Sequence, residues 1–175
     1  MPESQQPRDG RDAIVNLIRG VESVLDVGAG DGKWGRTLSG VVGYVDAIEV
    51  WPPTAKALTD SGLYHLTICY DAREFEGWDP YDAIILGDVL EHLPRADAVN
   101  LVNRLKRAPG RVFLTIPVSR CTQCGLPFGN PFETHLDQWD HYDLYLMGWR
   151  LLHVGTNEEG SVLIGTYELM RGVPA

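Results

Sequence analysis

The sequence VLDVGAGDG, residues 24–32, decides the fold of this chain. Its apolar half belongs to a short strand predicted over 23–27, and its glycines form a turn that leads into a helix predicted over 33–39. Glycine lets the backbone turn sharply and lets a ligand approach the main chain closely. The segment therefore predicts a strand–turn–helix unit that binds a nucleotide-like molecule.

The same alternation of strands and helices continues along the rest of the chain. Short apolar runs predict strands, and apolar residues at helical spacing predict the helices between them. The predicted strands are 23–27, 41–50, 64–70, 83–86, 111–118, 149–154 and 162–169, and the predicted helices are 9–20, 33–39, 52–61, 94–108 and 136–147. This order predicts an α/β fold with a doubly wound, seven-stranded, mostly parallel sheet whose last strand is antiparallel.

Length and composition are those of one globular domain. The chain has 175 residues, of which 44% are apolar and 22% charged. No apolar run approaches the roughly 18 residues of a membrane-spanning helix, and the N-terminus lacks a signal-peptide core, so we expect a cytoplasmic protein. Residues 1–8 are predicted to be a flexible tail, and 9–175 a single domain without an inserted cap domain.

Charge and cysteine content narrow the functional classes. Fifteen Lys and Arg residues against 24 Asp and Glu residues give a net charge of −9. Nucleic-acid binding depends on basic residues that neutralise phosphates, so this balance makes a nucleic-acid partner unlikely, and no membrane partner is expected. The three cysteines, Cys69, Cys121 and Cys124, are an odd number without a secretion signal, which predicts free thiols.

Acidic residues on both sides of the glycine turn indicate which ligand it binds. The dinucleotide fingerprint needs a third glycine where Lys33 stands, and a pyrophosphate there would be repelled by Asp26 and Asp31. S-adenosylmethionine carries no phosphate, and its ammonium and sulfonium groups attract nearby carboxylates. The turn therefore favours this cofactor over a nicotinamide dinucleotide.

The ends of the next three predicted strands carry residues that suit the same cofactor. Glu49 ends the second strand about 20 residues beyond the turn, where a carboxylate accepts hydrogen bonds from both ribose hydroxyls. Asp71 follows the third strand and is suited to accept from the adenine amino group. Gly87 and Asp88 follow the fourth strand, and their backbone would border the methionine part. Ligands of open α/β sheets bind at these strand ends.

Four segments together resemble a known family, the class I S-adenosylmethionine-dependent methyltransferases. They are VLDVGAGDG at 24–32, DAIE at 46–49, YDA at 70–72 and YDAIILGDVLEHLP at 81–94. The resemblance implies a Rossmann-like core, methyltransferase activity and release of S-adenosylhomocysteine. Within it, the DVLEHLP segment is similar to that of ubiquinone-pathway and related small-molecule methyltransferases, which implies a small-molecule acceptor.

The resemblance also assigns roles around the cofactor. It places Asp26, Gly28 and Gly30 at the methionine end, Glu49 at the ribose and Asp71 at the adenine. With their neighbours, the predicted cofactor-binding residues are Asp26, Gly28, Ala29, Gly30, Glu49, Val50, Asp71, Ala72, Gly87 and Asp88.

A general base would assist methyl transfer to a hydroxyl or ammonium group. Candidates belong to the loops after the fourth and fifth strands, and two of them are histidines, His92 and His135. Histidine has an ordinary pKa of about 6.5, close to the pH at which a base works best. We predict a catalytic role for His135, with His92 as the other candidate. Further candidates in these loops are Asp88, Glu91, Asn130 and Glu133.

Aromatic residues near these loops indicate the kind of acceptor. Trp51, Phe128, Phe132 and Trp139 would wall the substrate side, with Trp139 one helical turn after His135. This composition predicts an apolar or aromatic small molecule that is methylated at oxygen or nitrogen. The sequence is also compatible with a homo-oligomer in which a second subunit supplies a lid over the site.

One group of residues near the predicted site has the spacing of metal ligands. Asp88-x-x-Glu91-His92, with His135, is similar to the ligand set of 2′-O-methyltransferases that act on small-RNA 3′ ends. It departs from that set because it begins with Asp rather than Glu and lacks a second downstream histidine. We therefore predict no metal. The alternatives are a metal-assisted RNA 3′-terminal 2′-O-methyltransferase and a non-catalytic S-adenosylmethionine-binding partner protein.

A second group approaches the spacing of a structural zinc site. It consists of Cys121-x-x-Cys124 followed by His135 and His141. The sequence between them lacks a hairpin or knuckle pattern, and His141 is predicted in the middle of a helix. The spacing therefore does not change the prediction that no metal binds.

Overall fold

In the residues that the structure describes, 10–119, 129–157 and 159–171 of a computed structural model, seven strands form one sheet. The strands are β1 (Ser23–Val27), β2 (Tyr44–Glu49), β3 (Leu66–Cys69), β4 (Ala83–Gly87), β5 (Arg111–Pro117), β6 (Trp149–Thr156) and β7 (Leu163–Leu169). The helices are α1 (Arg11–Ile18), α2 (Lys33–Leu38), α3 (Pro52–Ser61), α4 (Arg95–Leu105) and α5 (His141–Leu146). Single 3₁₀ turns lie at Leu90–His92 and Pro131–Glu133.

The strand order is β3-β2-β1-β4-β5-β7-β6. The first five strands pair in parallel, and β7 is antiparallel to both β5 and β6. This confirms the predicted α/β fold with a mostly parallel sheet and an antiparallel last strand. The order reverses between β1 and β4, so a ligand is expected beyond their carboxyl ends.

The centre of the sheet is buried on both faces. Every residue of β1 is buried, and its side chains alternate between two apolar clusters. Leu25 and Val27 belong to the cluster that includes α4, whereas Val24 belongs to the cluster that includes α1 and α2. Burial on both faces explains why the central strands read as continuous apolar runs. Because β1 is packed on both faces, the position of the turn that follows it is fixed.

Most predicted elements are confirmed, but the helix predicted over 136–147 is too long. It begins at His141 because Asp140 caps it: the Asp140 carboxylate accepts from the Asp143 N–H, and the Asp143 side chain accepts from the Asp140 N–H. Residues 135–140 are not helical. Trp139 therefore does not lie one helical turn after His135, and the prediction that His141 lies in the middle of a helix is wrong.

The strand predicted over 41–50 also starts too early. The structure has β2 over Tyr44–Glu49, because residues 41–43 form a turn in which the Gly43 N–H donates to the carbonyl of Val21 at 2.9 Å. A side chain is excluded there, since a Cβ on Gly43 would come within 2.5 Å of the Glu22 carbonyl oxygen.

Some predictions fall outside the described residues. They concern the tail over 1–8, Cys121, Cys124 and Phe128. The remaining cysteine, Cys69, is an exposed free thiol, as predicted. Of the helices in the described part of the chain, none combines the length and apolar character needed to cross a membrane.

Candidate functional site

A cleft of about 530 Å³ opens beyond the carboxyl ends of the first four strands. Volumes of this size are typical of sites for small molecules and cofactors. Of the twelve predicted site residues, all but Asp26 and His135 line this cleft. Residues that sequence analysis did not single out also line it, and they include Trp34, Thr54 and Arg73.

The glycine turn after β1 is held by hydrogen bonds within the protein. The N–H groups of Gly28 and Ala29 both donate to the carbonyl of Ile48, at 2.9 and 3.1 Å. A phosphate-binding turn instead directs such N–H groups at the ligand. This turn has few donors left for a phosphate. Three more of its N–H groups are used in the same way, from Gly30 to Glu49, from Gly32 to Ala29 and from Lys33 to Asp31.

Asp26 lies beneath the turn rather than in the cleft. It is 1% exposed, and one carboxylate oxygen accepts from the Tyr64 hydroxyl at 2.5 Å. Burial raises the pKa of Asp26 to about 7, against the effect of the Tyr64 hydrogen bond and with smaller contributions from the charges of Glu49 and Asp31. Tyr64 also accepts from the Gly35 N–H at 3.1 Å. The pair thus ties β1 to α2 and supports the turn from below.

Glu49 is buried at the floor of the cleft and anchors two backbone segments. One carboxylate oxygen accepts from the Gly30 N–H at 3.0 Å, and the other accepts from the Trp51 N–H at 2.8 Å. The residue is 5% exposed, so its orientation is set by these two bonds. Each carboxylate oxygen has a second lone pair. Both oxygens can therefore still accept a hydrogen bond from a ligand in the cleft.

Asp71 is paired with an arginine that the sequence analysis missed. Arg73 donates to both carboxylate oxygens of Asp71, with a shortest distance of 2.6 Å, and its other end reaches Asp97 at 3.1 Å. The hydrogen bonds from Arg73 hold the pKa of Asp71 below its ordinary value. Arg73 follows Asp71 by two residues in the sequence, and this short spacing is the feature from which the pairing could have been predicted. The bridge from β3 to α4 keeps the carboxylate ionised at the cleft wall.

Asp88 follows β4 with an unusual backbone conformation. Its φ of 55° is the only positive value on a non-glycine residue in the described chain, and such strain is concentrated at functional sites. The conformation is held because the Asp88 N–H donates to the Thr115 carbonyl at 2.9 Å. The carboxylate lies 3.8 Å from the Lys33 ammonium across the cleft entrance. Asp88 thus presents negative charge opposite the glycine turn.

Gly87 lets the end of β4 pack closely against a buried tryptophan. A Cβ there would come within 2.5 Å of Trp34 Nε1, and Trp34 is 3% exposed. Replacing Gly87 by alanine is therefore expected to lower the free energy of unfolding by about 1–3 kcal/mol, because Trp34 or the strand end must shift. Urea unfolding measures the change. An alanine variant as stable as the parent protein would show that Trp34 moves freely.

The two predicted catalytic histidines contact each other, but only one of them lines the cleft. The rings of His92 and His135 lie 4.8 Å apart at 77°. His92 reaches the cleft, whereas His135 does not line it. Burial, followed by the charge of His135, lowers the pKa of His92 to about 4, so His92 is neutral near neutral pH. Its Nδ1 lies 3.2 Å from the Thr134 carbonyl, which identifies Nδ1 as the protonated nitrogen.

Glu91, a further candidate from the sequence, is a buried carboxylate near the site. It is 2% exposed, and neither carboxylate oxygen has a hydrogen-bond partner within the described residues. Burial and then the charge of Asp88 raise its pKa well above the ordinary value, and Glu133 adds to the effect. The pKa of Glu133, which lines the cleft, is also raised, first by burial and then by the charge of Glu49. Asp88 and Glu133 therefore line the cleft, whereas Glu91 does not.

The predicted aromatic wall is only partly present in the described residues. Trp51 and Phe132 line the cleft with ring centroids 6.2 Å apart. Trp139 instead belongs to the core, where it is 3% exposed and packs beneath the Arg95 guanidinium at 4.2 Å. The non-helical path of residues 135–140 carries it away from the cleft.

Comparison with known sequences gives one distant relative. No family model matches the chain. The chain is similar to protein-L-isoaspartate O-methyltransferase 1 from Cupriavidus necator, with 27% identity over 113 residues that make up 61% of this chain and 42% of the relative. The match therefore spans about two fifths of the length of that curated protein.

Comparison with solved structures supports the fold over almost the whole chain. The magnesium protoporphyrin IX methyltransferase of Synechocystis PCC 6803, crystallised with bound S-adenosylmethionine, is 18% identical with a TM-score of 0.67, covering 92% of this chain and 77% of its own. An S-adenosylmethionine-dependent methyltransferase from Aquifex aeolicus is 19% identical with a TM-score of 0.64. The match covers 96% of this chain and 93% of that protein. The predicted resemblance is thus confirmed for the fold.

Proposed function

We propose that this chain, which has the Rossmann-like fold of the class I methyltransferases, is an S-adenosylmethionine-dependent methyltransferase. It transfers a methyl group to an oxygen or nitrogen atom of a small molecule. The observation that carries the proposal is the charge of the cleft at the glycine turn. Carboxylates follow successive strands there, while the N–H groups that would hold a phosphate already donate within the protein.

The cofactor's parts suit particular residues of the cleft. The ribose hydroxyls would donate to Glu49, whose two oxygens each keep a lone pair. The adenine amino group would donate to Asp71, which Arg73 keeps ionised. The methionine part would lie between Gly28 and Asp88, where its ammonium meets a carboxylate.

Bound S-adenosylmethionine supplies a methyl group on a sulfonium, which is an activated leaving group. The new bond to the acceptor oxygen or nitrogen would form as the carbon–sulfur bond breaks, and the electron pair would stay on sulfur. The acceptor's proton goes to a base or to solvent. The chain's own contribution is positioning, worth up to about 7–11 kcal/mol as effective concentration. Trp51 and Phe132 would hold an acceptor with apolar or aromatic character beside the sulfonium.

His92 is the histidine with access to the acceptor. Because Nδ1 is occupied by the Thr134 carbonyl, Nε2 is the nitrogen that can accept a proton or another ligand. A pKa of about 4 makes an isolated His92 a weak base at neutral pH. We therefore assign His92 to orienting the acceptor. His135 contacts the His92 ring but does not line the cleft, so it is not expected to touch the acceptor directly.

Calorimetry with S-adenosylhomocysteine tests the proposal. We expect the purified chain to bind S-adenosylhomocysteine with a Kd tighter than about 100 μM, and NAD⁺ at least about 100-fold more weakly, because the carboxylates around the turn repel a pyrophosphate. Replacing Asp71 by asparagine should weaken the binding by about 10-fold, since one charged hydrogen bond is lost. Tighter binding of NAD⁺ than of S-adenosylhomocysteine would contradict the proposal.

A further inference from the structure

A buried carboxylate without a partner lies beside two histidines at the wall of the cleft. Both oxygens of Glu91 are buried and accept no hydrogen bond in the described residues, and the side chain is 2% exposed. Buried carboxylates are normally paired with a cation or coordinate a metal, because desolvation is otherwise uncompensated. Neither carboxylate oxygen of Glu91 accepts a hydrogen bond from a Lys or Arg in the described part of the chain. The role of Glu91 is therefore not explained by packing.

The neighbouring histidines supply the other donors of a ligand set. The Glu91–His92–His135 cluster offers one carboxylate oxygen and two imidazole nitrogens, all within 4.8 Å of one another. Three ligands around an ion at about 2.1 Å lie about 3–3.5 Å apart. The three donors lie within 4.8 Å of one another, so they would have to move closer together to bind an ion.

The backbone holds the two parts of the cluster together. The N–H groups of Leu136 and Asp137 both donate to the Glu91 carbonyl, at 2.8 and 3.1 Å. The Thr134 carbonyl lies 3.2 Å from His92 Nδ1 and so leaves Nε2 as the ligand atom. Metal-binding histidines are commonly oriented by such a bond on the opposite nitrogen. The segment that carries His135 is thus fixed against the turn that carries Glu91.

We propose that Glu91, His92 and His135 bind a divalent transition-metal ion at the wall of the cleft. Two imidazoles and one carboxylate suit Mn²⁺, Fe²⁺, Co²⁺ or Zn²⁺ better than Mg²⁺ or Ca²⁺, which prefer all-oxygen sites. The carboxylates of Asp88 and Glu133 add negative charge around the site. The sequence comparison included these three residues with Asp88 and predicted no metal, because the set begins with Asp rather than Glu and lacks a second downstream histidine. The structure brings Glu91, His92 and His135 together as one cluster.

The position of the ion gives it a role in the proposed methyl transfer, and this part rests on the proposed function. His92 lines the cleft, so an open coordination position would face the acceptor. An ion there lowers the pKa of an acceptor hydroxyl. The hydroxyl proton leaves to solvent, the oxygen forms the bond to the methyl carbon, and the carbon–sulfur bond breaks with its electrons on sulfur. The acceptor would therefore be a hydroxyl compound.

Titration with Mn²⁺ alone, followed by calorimetry and electron paramagnetic resonance, tests the site. Mn²⁺ is chosen because the thiolates of Cys69, Cys121 and Cys124 would compete for Zn²⁺. We expect one equivalent to bind with a Kd tighter than about 100 μM. Glu91→Gln and His135→Gln should each weaken binding by about 100-fold, whereas the exposed His153→Gln is the matched control and should bind as the parent does.

Thermal unfolding separates a metal ligand from a structural residue. Glu91→Gln should raise the melting temperature of the metal-free protein, because a buried uncompensated carboxylate is removed, and should abolish the rise that Mn²⁺ causes in the parent. A variant that melts lower without metal and still binds Mn²⁺ like the parent would overturn the proposal. So would the absence of binding to the parent at about 1 mM Mn²⁺.

The same titrations distinguish the two proposals. Binding of S-adenosylhomocysteine to metal-free protein that takes up no Mn²⁺ would remove the metal site and leave the proposed function. Binding of one Mn²⁺ without any affinity for S-adenosylhomocysteine would remove the proposed function and leave the metal site.

Discussion

Replacing Glu49 by glutamine is expected to weaken S-adenosylhomocysteine binding by at least about 100-fold. A carboxylate at the end of β2 would accept from both ribose hydroxyls, and hydrogen bonds to a charged group contribute about 1.5–3 kcal/mol each. Glutamine also turns one acceptor into a donor. Because the two oxygens of Glu49 already accept from the Gly30 and Trp51 N–H groups, the amide of glutamine would face one of these donors. The glycine turn would then shift, and the cleft would also lose the negative charge of Glu49.

Calorimetry of the Glu49→Gln variant measures this loss, and Glu159→Gln is the control. Glu159 is an exposed residue in the turn between β6 and β7, so its replacement removes the same charge without touching the cleft. Unfolding curves show whether each variant is folded. A folded Glu49→Gln protein with the affinity of the parent would contradict the assignment of Glu49 to the ribose. Glu49→Asp should fall between the two, since it keeps the charge and shortens the reach.

Replacing Asp26 by asparagine is expected to change how stability depends on pH. The pKa of Asp26 in the folded protein is about 7, above its ordinary value of 3.8. Between these two values the folded state holds a proton on Asp26 that the unfolded state has lost, so the stability that Asp26 contributes is lost as pH rises from about 4 to 7 and its contribution is then level. At 1.36 kcal/mol for each pKa unit, the loss reaches about 4 kcal/mol. Asparagine does not titrate, so this contribution disappears.

Urea unfolding of both proteins between pH 4 and 8 measures the difference. Asparagine can still accept from the Tyr64 hydroxyl, so the variant keeps that contact. Any loss of stability caused by the substitution itself would be the same at every pH and would not change the shape of the profile. Asp60→Asn is the control, because Asp60 is exposed and pairs with Lys56 on α3. Parallel stability profiles for the parent and Asp26→Asn would show that Asp26 is ionised in the folded protein. The groups around Asp26 are Tyr64, Glu49, Asp31 and Lys33.

Local patterns were sufficient to predict most of the fold. The apolar run in Ala83–Gly87 lacks alternation, which is typical of a strand buried on both faces, and this strand lies at the centre of the sheet. The helix Pro52–Ser61 begins and ends as predicted, because Pro and Gly mark helix ends by their own backbone preferences. The error in α5 has a different origin. The Asp140 cap starts that helix late, and the N–H groups of Leu136 and Asp137 donate to the Glu91 carbonyl instead.

The cofactor side of the site was also predictable, since each of its residues follows a strand. Parallel strands end at one edge of a sheet, so residues at those ends must meet there. Asp26 shows the limit of this reasoning. It is the fourth residue of β1, and only the packing around it reveals that it lies beneath the turn with Tyr64. Likewise, only the structure reveals that Arg73 pairs with Asp71, because its side chain reaches both Asp71 and Asp97.

The sequence alone determined the order of the elements, the class of fold and the acids at the strand ends, because these depend on local spacing and on rules of sheet topology. The tertiary structure decided which groups are buried, neutral or paired. Glu91, His92 and His135 become one cluster only because the loop after β5 folds back on the turn after β4, through hydrogen bonds from Leu136 and Asp137 to Glu91. A contact between segments about 40 residues apart leaves no periodicity in the chain. Burial and charge at such a contact arise from packing.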